Sequence, residues 1–256
     1  MDRSCYQKVR AEFISCVERT LQRLQQEATI MPFHSALLSK EAVFWSRFER
    51  SFSTSFGQSV IEKISAYIAQ SSGAENVQTQ KETFVTIGHD QLRAIEQHIG
   101  HLRLRGSGAR PCWDDDYSHI LQISSPSGFD ELRVISDLYF FRNGKHNYFS
   151  IKTVKPNIDQ TAEAKRDLLK LKINDPECNV YFGLYYNPFG DRRELYNWTP
   201  PMKIFNFHTD PCILIGRDYW DTLGGHGTYE IVLDIAASVS EELQQKIRQY
   251  GIDNFV

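Results

Sequence analysis

The sequence predicts an α/β fold, a mixed central sheet flanked by helices with a helical region at the N-terminus. Three observations predict it. Apolar side chains recur at helical spacing from residue 4 to about residue 70. Two runs rich in aromatic and β-branched residues, 134–141 and 146–154, flank Arg142-Asn143-Gly144-Lys145. That is a strong hairpin signal, because Asn and Gly tolerate the positive φ angles of a type I′ turn. A segment of helical length then separates the hairpin from another apolar run, 179–186, and parallel strands require a crossover of about that length.

The elements follow in order. Val9, Phe13, Val17, Leu21 and Leu24 lie on one face of an amphipathic helix over residues 4 to about 28, and Met31-Pro32-Phe33 ends or redirects it. Val43, Phe44 and Phe48 mark a second helix at 40–50, and Phe56, Val60, Ile61, Ile64 and Ile68 a third at 55–70. Ser, Gly, Asn and Gln dominate residues 71–80, which reads as a loop, and residues 90–99 form a short helix. A Gly- and Arg-rich stretch at 101–110 reads as a surface loop. After the hairpin, Pro156 blocks helix propagation from upstream, and Asp159 is the expected cap of a helix at 160–173. Residues 204–207, 213–215 and 229–233 are short strand candidates, and residues 240–250 a closing helix. The chain reads as one unit over 1–256, with 1–70 serving dimerisation or support and 130–235 holding the core sheet.

Composition narrows the function. With 256 residues the chain can bury a full core, and its net charge of −3 leaves any nucleic-acid contact to a local basic surface. Cys5, Cys16, Cys112, Cys178 and Cys212 are odd in number and contain no Cys-x-x-Cys pair, which fits a reducing compartment and opposes a zinc ribbon. No apolar run approaches membrane-spanning length, so a cytoplasmic protein is expected. No His-x-x-x-His, phosphate-binding loop, dinucleotide fingerprint or Gly-x-Ser-x-Gly is present. Gly224-Gly225-His226-Gly227 reads as a turn with no helix after it.

The hairpin carries the chemistry. With Asn143 and Gly144 as its loop, Arg142 pairs with Lys145 and Asp137 falls opposite Ser150. Side chains alternate along a strand, so Asp137, Ser150 and Lys152 share one face. A carboxylate between two apolar strands needs compensation, either from the neighbouring ammonium or from a divalent cation. A cross-strand ion pair on a solvated face is the alternative reading of the same three residues.

Several local patterns accompany that hairpin. They are Ile30-Met31-Pro32-Phe33, Phe56-Gly57 followed by Ile61-Glu62-Lys63-Ile64, Asp137, Ser150-Ile151-Lys152 with Lys155, Tyr185-Tyr186-Asn187 before Gly190, and Gly216-Arg217-Asp218-Tyr219-Trp220. Their order resembles the restriction-endonuclease-like fold, whose signature is Asp, a variable gap, then Asp/Glu-x-Lys. More narrowly, the chain resembles the TdeIII-type group of type II restriction endonucleases, which includes enzymes cutting GGNCC-containing sites. Lys152 lies 15 residues after Asp137, and Ser150 departs from the pattern by replacing the second carboxylate.

The resemblance implies a Mg²⁺-dependent endonuclease cutting double-stranded DNA at a short GC-rich palindrome. It further implies a homodimer and a cognate DNA methyltransferase in the same system. Asp137, Ser150, Lys152 and Glu62 are then the catalytic set. Asp137, the Ile151 carbonyl and Glu62 hold the metal, Glu62 supplying the acid that Ser150 lacks, with Glu163 and Asp159 as alternative donors. Candidate DNA contacts are Lys155, the loop residues Arg103, Arg105 and Arg110, and a recognition loop of Asn187, Asp191, Arg192 and Arg193. Lys165, Arg166 and Lys170 are either phosphate contacts or a solvated helix face. An inactive DNA-binding module and a repair or structure-specific nuclease of the same fold are the competing readings.

Overall fold

The computed structural model describes residues 1–26, 31–104, 106 and 108–255. Five strands form one mixed sheet in the order β1-β2-β3-β4-β5. β1 (Glu75–Gly88), β2 (Phe129–Arg142) and β3 (Lys145–Lys152) run antiparallel to their neighbours, whereas β4 (Asn179–Leu184) and β5 (Ile213–Ile215) continue parallel to β3. The hairpin forms as expected. Asn143 (φ 54°) and Gly144 (φ 75°) take up the left-handed turn, and Arg142 pairs with Lys145.

Helices cover both faces. Against Leu138, Phe140, Phe149, Ile151 and Leu214 pack α1 (Arg3–Gln26), α4 (Ile61–Ser71), α9 (Arg217–Gly224) and α10 (Thr228–Ser238). Opposite them, Tyr139, Tyr148, Val180, Phe182 and Ile213 meet α5 (His89–Arg103), α6 (Trp113–Leu121) and the crossover helix α7 (Ile158–Asn174). The alternation of Leu138, Tyr139 and Phe140 between these two clusters follows from strand geometry. Two short helical segments, α2 (Pro32–Leu37) and α3 (Lys40–Ser55), precede α4, and α11 (Ser240–Phe255) closes the described chain.

Five local expectations change. Strand β1 begins at Glu75, inside the predicted loop. It is a sheet edge whose side chains are mostly exposed, so its polar composition hides the strand. The strand expected at 204–207 is a turn, although Ile204, Phe205 and Phe207 are fully buried. Residues 229–233 belong to α10, where Thr228, Val232 and Ile235 are buried at helical spacing. The cap of α7 is Asn157, whose side chain accepts from Gln160 N at 2.8 Å while Gln160 Oε1 accepts from Asn157 N at 3.3 Å. Finally, a helix does follow the Gly-rich turn. The Asp221 carboxylate accepts from Gly227 N and Tyr229 N at the start of α10 and so occupies the place where a phosphate would sit.

The buried centre of α7 is ionic. Lys165 is completely inaccessible and donates to Asp116 Oδ2 at 2.5 Å and to the Ile204 carbonyl at 2.7 Å, above the Phe205 ring. Burial pushes the Asp116 carboxyl up, but the hydrogen bond from His98 and the charge of Lys165 outweigh it and hold the group below its ordinary range. Lys165 therefore touches neither solvent nor phosphate. Arg166 pairs with Glu96, and Lys170 with Asp167 one turn away.

Candidate active site

Asp137 stands where β2 parts from β3. On one side the ladder runs from Arg142↔Lys145 to Leu138↔Phe149 and ends one pair short of Ser150. On the other side Thr79 pairs with Leu138 and Lys81 with Ser136, and Gln80 between them is unpaired. The freed carboxylate takes the contacts that the backbone relinquishes. Its Oδ2 accepts from Ile151 N at 2.7 Å and from Lys152 Nζ at 3.2 Å. The expected neighbourhood of Asp137 and Lys152 thus forms, and both side chains are largely buried, at 18% and 25% exposure.

Glu62 completes a group of charges. It lies in the first turn of α4, directly after a π-helical turn over Phe56–Val60. Such turns re-aim side chains at functional sites. Within that turn Gly57 faces β3, and a Cβ added there would meet Thr153 Cγ2 at 3.3 Å. Glu62 Oε2 accepts from Gln80 Nε2 at 2.9 Å, and the same nitrogen donates to Asp137 Oδ1 at 3.2 Å. Burial raises the Glu62 pKa to about 7. The Gln80 hydrogen bond and Lys152 pull it down, and repulsion from Asp137 pushes it up.

Two adjoining recesses meet at Gln80, Asp137 and Lys152. One, of about 330 Å³, also holds Gly57, Glu62, Ile151 and Gln160. The other, of about 380 Å³, runs toward α7 and holds Ser150, Arg133, Glu163 and Asp167. A larger cavity of about 530 Å³, bounded by Phe13, Trp220 and Leu243, is apolar and carries no carboxylate, histidine or lysine. The polar cleft, in contrast, holds the carboxylates and the lysine that acid–base or metal chemistry would need. Among the described residues no three His, Cys, Asp or Glu side chains converge as ligands. Two carboxylate oxygens do converge on one nitrogen of Gln80. The Ile151 carbonyl also faces this side, because N–H and C=O of one strand residue point the same way. Two acids and a carbonyl are hard oxygen donors of the kind Mg²⁺ takes while keeping several waters.

The remaining candidates lie apart from this group. Arg103 is paired with Asp159, which removes Asp159 as a ready donor. Arg105 lies outside the described residues, whereas Arg110, Asp191 and Arg192 are exposed. Lys155 extends over the Phe189 and Trp198 rings. Asn187 is occupied in its own loop, accepting from Phe189 N and donating to the Arg192 carbonyl. Arg193 donates to the carbonyls of Phe207 and Asp210 at 2.6 Å each, and so braces the turn at 204–207 instead of facing DNA. Sequence reasoning missed Gln80, which lay in the supposed loop. The one signal available was its position across from Asp137 once β1 is recognised.

A polar cleft of this kind on a mixed sheet fits phosphodiester hydrolysis, and comparison with known proteins decides the family. A family model described as type II restriction endonuclease, HinfI, matches residues 2–240. The chain belongs to the HinfI family of type II restriction endonucleases. It is accordingly a type II restriction enzyme, a site-specific deoxyribonuclease that binds double-stranded DNA. The type II restriction enzyme HgiEI of Herpetosiphon aurantiacus is 27% identical over 242 residues, covering 91% of this chain and 87% of the relative. HgiCII and HgiBI from the same organism are 26% and 27% identical, over 90% and 88% of this chain and 86% and 84% of theirs. No solved structure gives a significant match. The sequence resemblance thus reached the right class of enzyme, and the family matched within it is HinfI, where the resemblance named the TdeIII-type group. No described helix is long and apolar enough to cross a membrane.

Proposed function

We propose that this enzyme cuts both strands of a short GC-rich palindrome, of GGNCC type, as a Mg²⁺-dependent homodimer. The observation that carries the catalytic part is the convergence of Glu62, Asp137 and Lys152 in one polar cleft. Asp137, Glu62 and the Ile151 carbonyl would hold the ion. When bound, Mg²⁺ supplies Lewis acidity and neutralises charge on the non-bridging phosphate oxygens.

The residues of the chain do the rest. Lys152 orients the attacking water and stabilises the negative charge that develops on the phosphate, a preorganised electrostatic role. Hydrolysis forms a bond from the water oxygen to phosphorus and breaks the bond to the 3′ oxygen. The water loses a proton and the departing oxygen gains one. Asp137 keeps the Lys152 ammonium in place through the 3.2 Å contact and anchors the end of β3 through Ile151 N. Ser150 lines the α7 side of the cleft with its hydroxyl, where a second carboxylate otherwise stands.

Lys155, Arg110 and Arg192 are the best-placed candidates for DNA contact, with Asp191 beside Arg192 as an acceptor for cytosine. Arg103 joins them only by releasing Asp159. One cleft per subunit and two antiparallel strands to cut favour a two-fold dimer. Phe33 and Leu37 on α2, 80% and 82% exposed, support a contact surface in the N-terminal part. The GC-rich target rests on the sequence resemblance.

Digestion of a plasmid of known sequence with Mg²⁺, followed by mapping of the ends, tests this reading. Discrete fragments with identical GC-rich ends are expected, and the Lys152→Ala variant binds the same duplex without cutting it. Normal cutting by Lys152→Ala overturns the mechanism, and ends mapping to an AT-only site overturn the target.

A further inference from the structure

Gln80 is hydrogen-bonded to both acids of the cleft, and its backbone is unusual. Its φ of 51° lies in the left-handed region, which a side chain other than Gly, Asn or Asp seldom adopts. Nothing in the turn chemistry of β1 needs a glutamine there. Thr79 and Lys81 on either side keep the regular register with Leu138 and Ser136. Strain of this kind persists where the side chain has a task. What the conformation achieves is visible in the contacts: the amide is directed between Glu62 and Asp137, with Nε2 2.9 Å from one carboxylate and 3.2 Å from the other.

An amide has two ends. Its NH₂ supplies two donors, and both acids use them here. Rotation about the terminal torsion puts Oε1 in the same place without moving the backbone. In the structure the donor end faces two acceptors. With a divalent cation between the acids, a donor there is repelled and the oxygen is favoured. The site is also short of oxygens, since Ser150 brings no carboxylate and no third acid joins Glu62 and Asp137 among the described residues.

We propose that Gln80 is a ligand of the divalent cation through Oε1, exchanging donor for acceptor when the ion enters and so supplying the oxygen missing at Ser150. The inference rests on the assignment of Glu62 and Asp137 to the metal site.

Binding of Mn²⁺ alone to the full chain, followed by electron paramagnetic resonance without DNA, separates the two. Four variants are compared with the parent, each checked for folding by circular dichroism. Asp137→Asn tests the site itself and is expected to lose Mn²⁺ binding. Gln80→Gly removes the amide while favouring the left-handed backbone, and Gln80→Met removes it at similar length. Both are expected to weaken Mn²⁺ binding about ten-fold. Gln80→Glu retains the oxygen and is expected to bind at least as tightly as the parent. If Gln80→Gly or Gln80→Met binds as tightly as the parent or more tightly while Asp137→Asn does not bind, Gln80 only bridges the two acids and the inference falls. If Asp137→Asn binds normally, the metal site itself has been misplaced.

Discussion

Replacing Glu62 by Gln links the charge of the cleft to the stability of the fold. The carboxyl titrates near 7 in the folded chain because burial disfavours its charge, against an ordinary value of 4.5. The sign follows from proton counting. Between these values the folded chain holds a proton that the unfolded chain has released, so stability falls as pH rises. The contribution is fully present below 4.5 and is lost as pH climbs through about 7. That interval converts to about 3 kcal/mol in total. Glu62→Gln keeps the shape and cannot ionise, so it escapes the loss. Urea unfolding of both proteins in chelator at pH 5 and pH 8.5 measures it. The variant is expected to gain about 2–3 kcal/mol on the parent between the two conditions. Saturating Mg²⁺ at pH 8.5 should stabilise the parent more than the variant, since a bound cation favours the ionised acid. An unchanged difference between pH 5 and pH 8.5 refutes the claim that Glu62 is held in a desolvated, mutually repelling group.

Four further outcomes are expected. Lys165→Ala takes the ammonium from the buried Asp116 carboxylate, leaving it to His98 and Cys112 N, and should lower the unfolding free energy by about 3–5 kcal/mol, read from a urea titration. Arg192→Ala should weaken DNA binding with a smaller dependence on salt, whereas Arg193→Ala should lower the melting temperature because two backbone carbonyls lose their donor. Gly183→Ala places a methyl group 2.6 Å from the buried Tyr219 ring and should destabilise the sheet by about 1–3 kcal/mol, again by urea unfolding.

The hairpin was legible because its signal is local. Asn143-Gly144 sets the turn, the turn sets the register, and the register brings Asp137 near Lys152. The crossover and β4 were legible for a similar reason, since their apolar pattern is continuous. Gln80 was not, because an edge strand with exposed side chains has the composition of a loop. Residues 204–207 look like a strand and are buried as one would be, yet hydrogen bonds from Arg193 and to Asp210 fold them into a turn. Lys165 carries no outward sign of burial. Only the tertiary placement of Asp116 and the Ile204 carbonyl makes an inaccessible ammonium tolerable. Ser150 reads in the sequence as a departure from the acid pattern, and the structure sets it in the recess toward α7, whereas Glu62 lines the other recess.

The inaccessible ammonium of α7 also determines which bank of the cleft gives way. Shifting that helix outward would pull Lys165 from Asp116 and break a buried ion pair. The helix bearing Glu163 and Asp167 is therefore a fixed jamb. The opposite bank is the edge strand, with its bulge between Glu75 and Gln78 and its left-handed Asn76 and Gln80. One bank of the cleft is thus locked by a buried ion pair, and the other hangs on the hydrogen bonds of a single neighbouring strand.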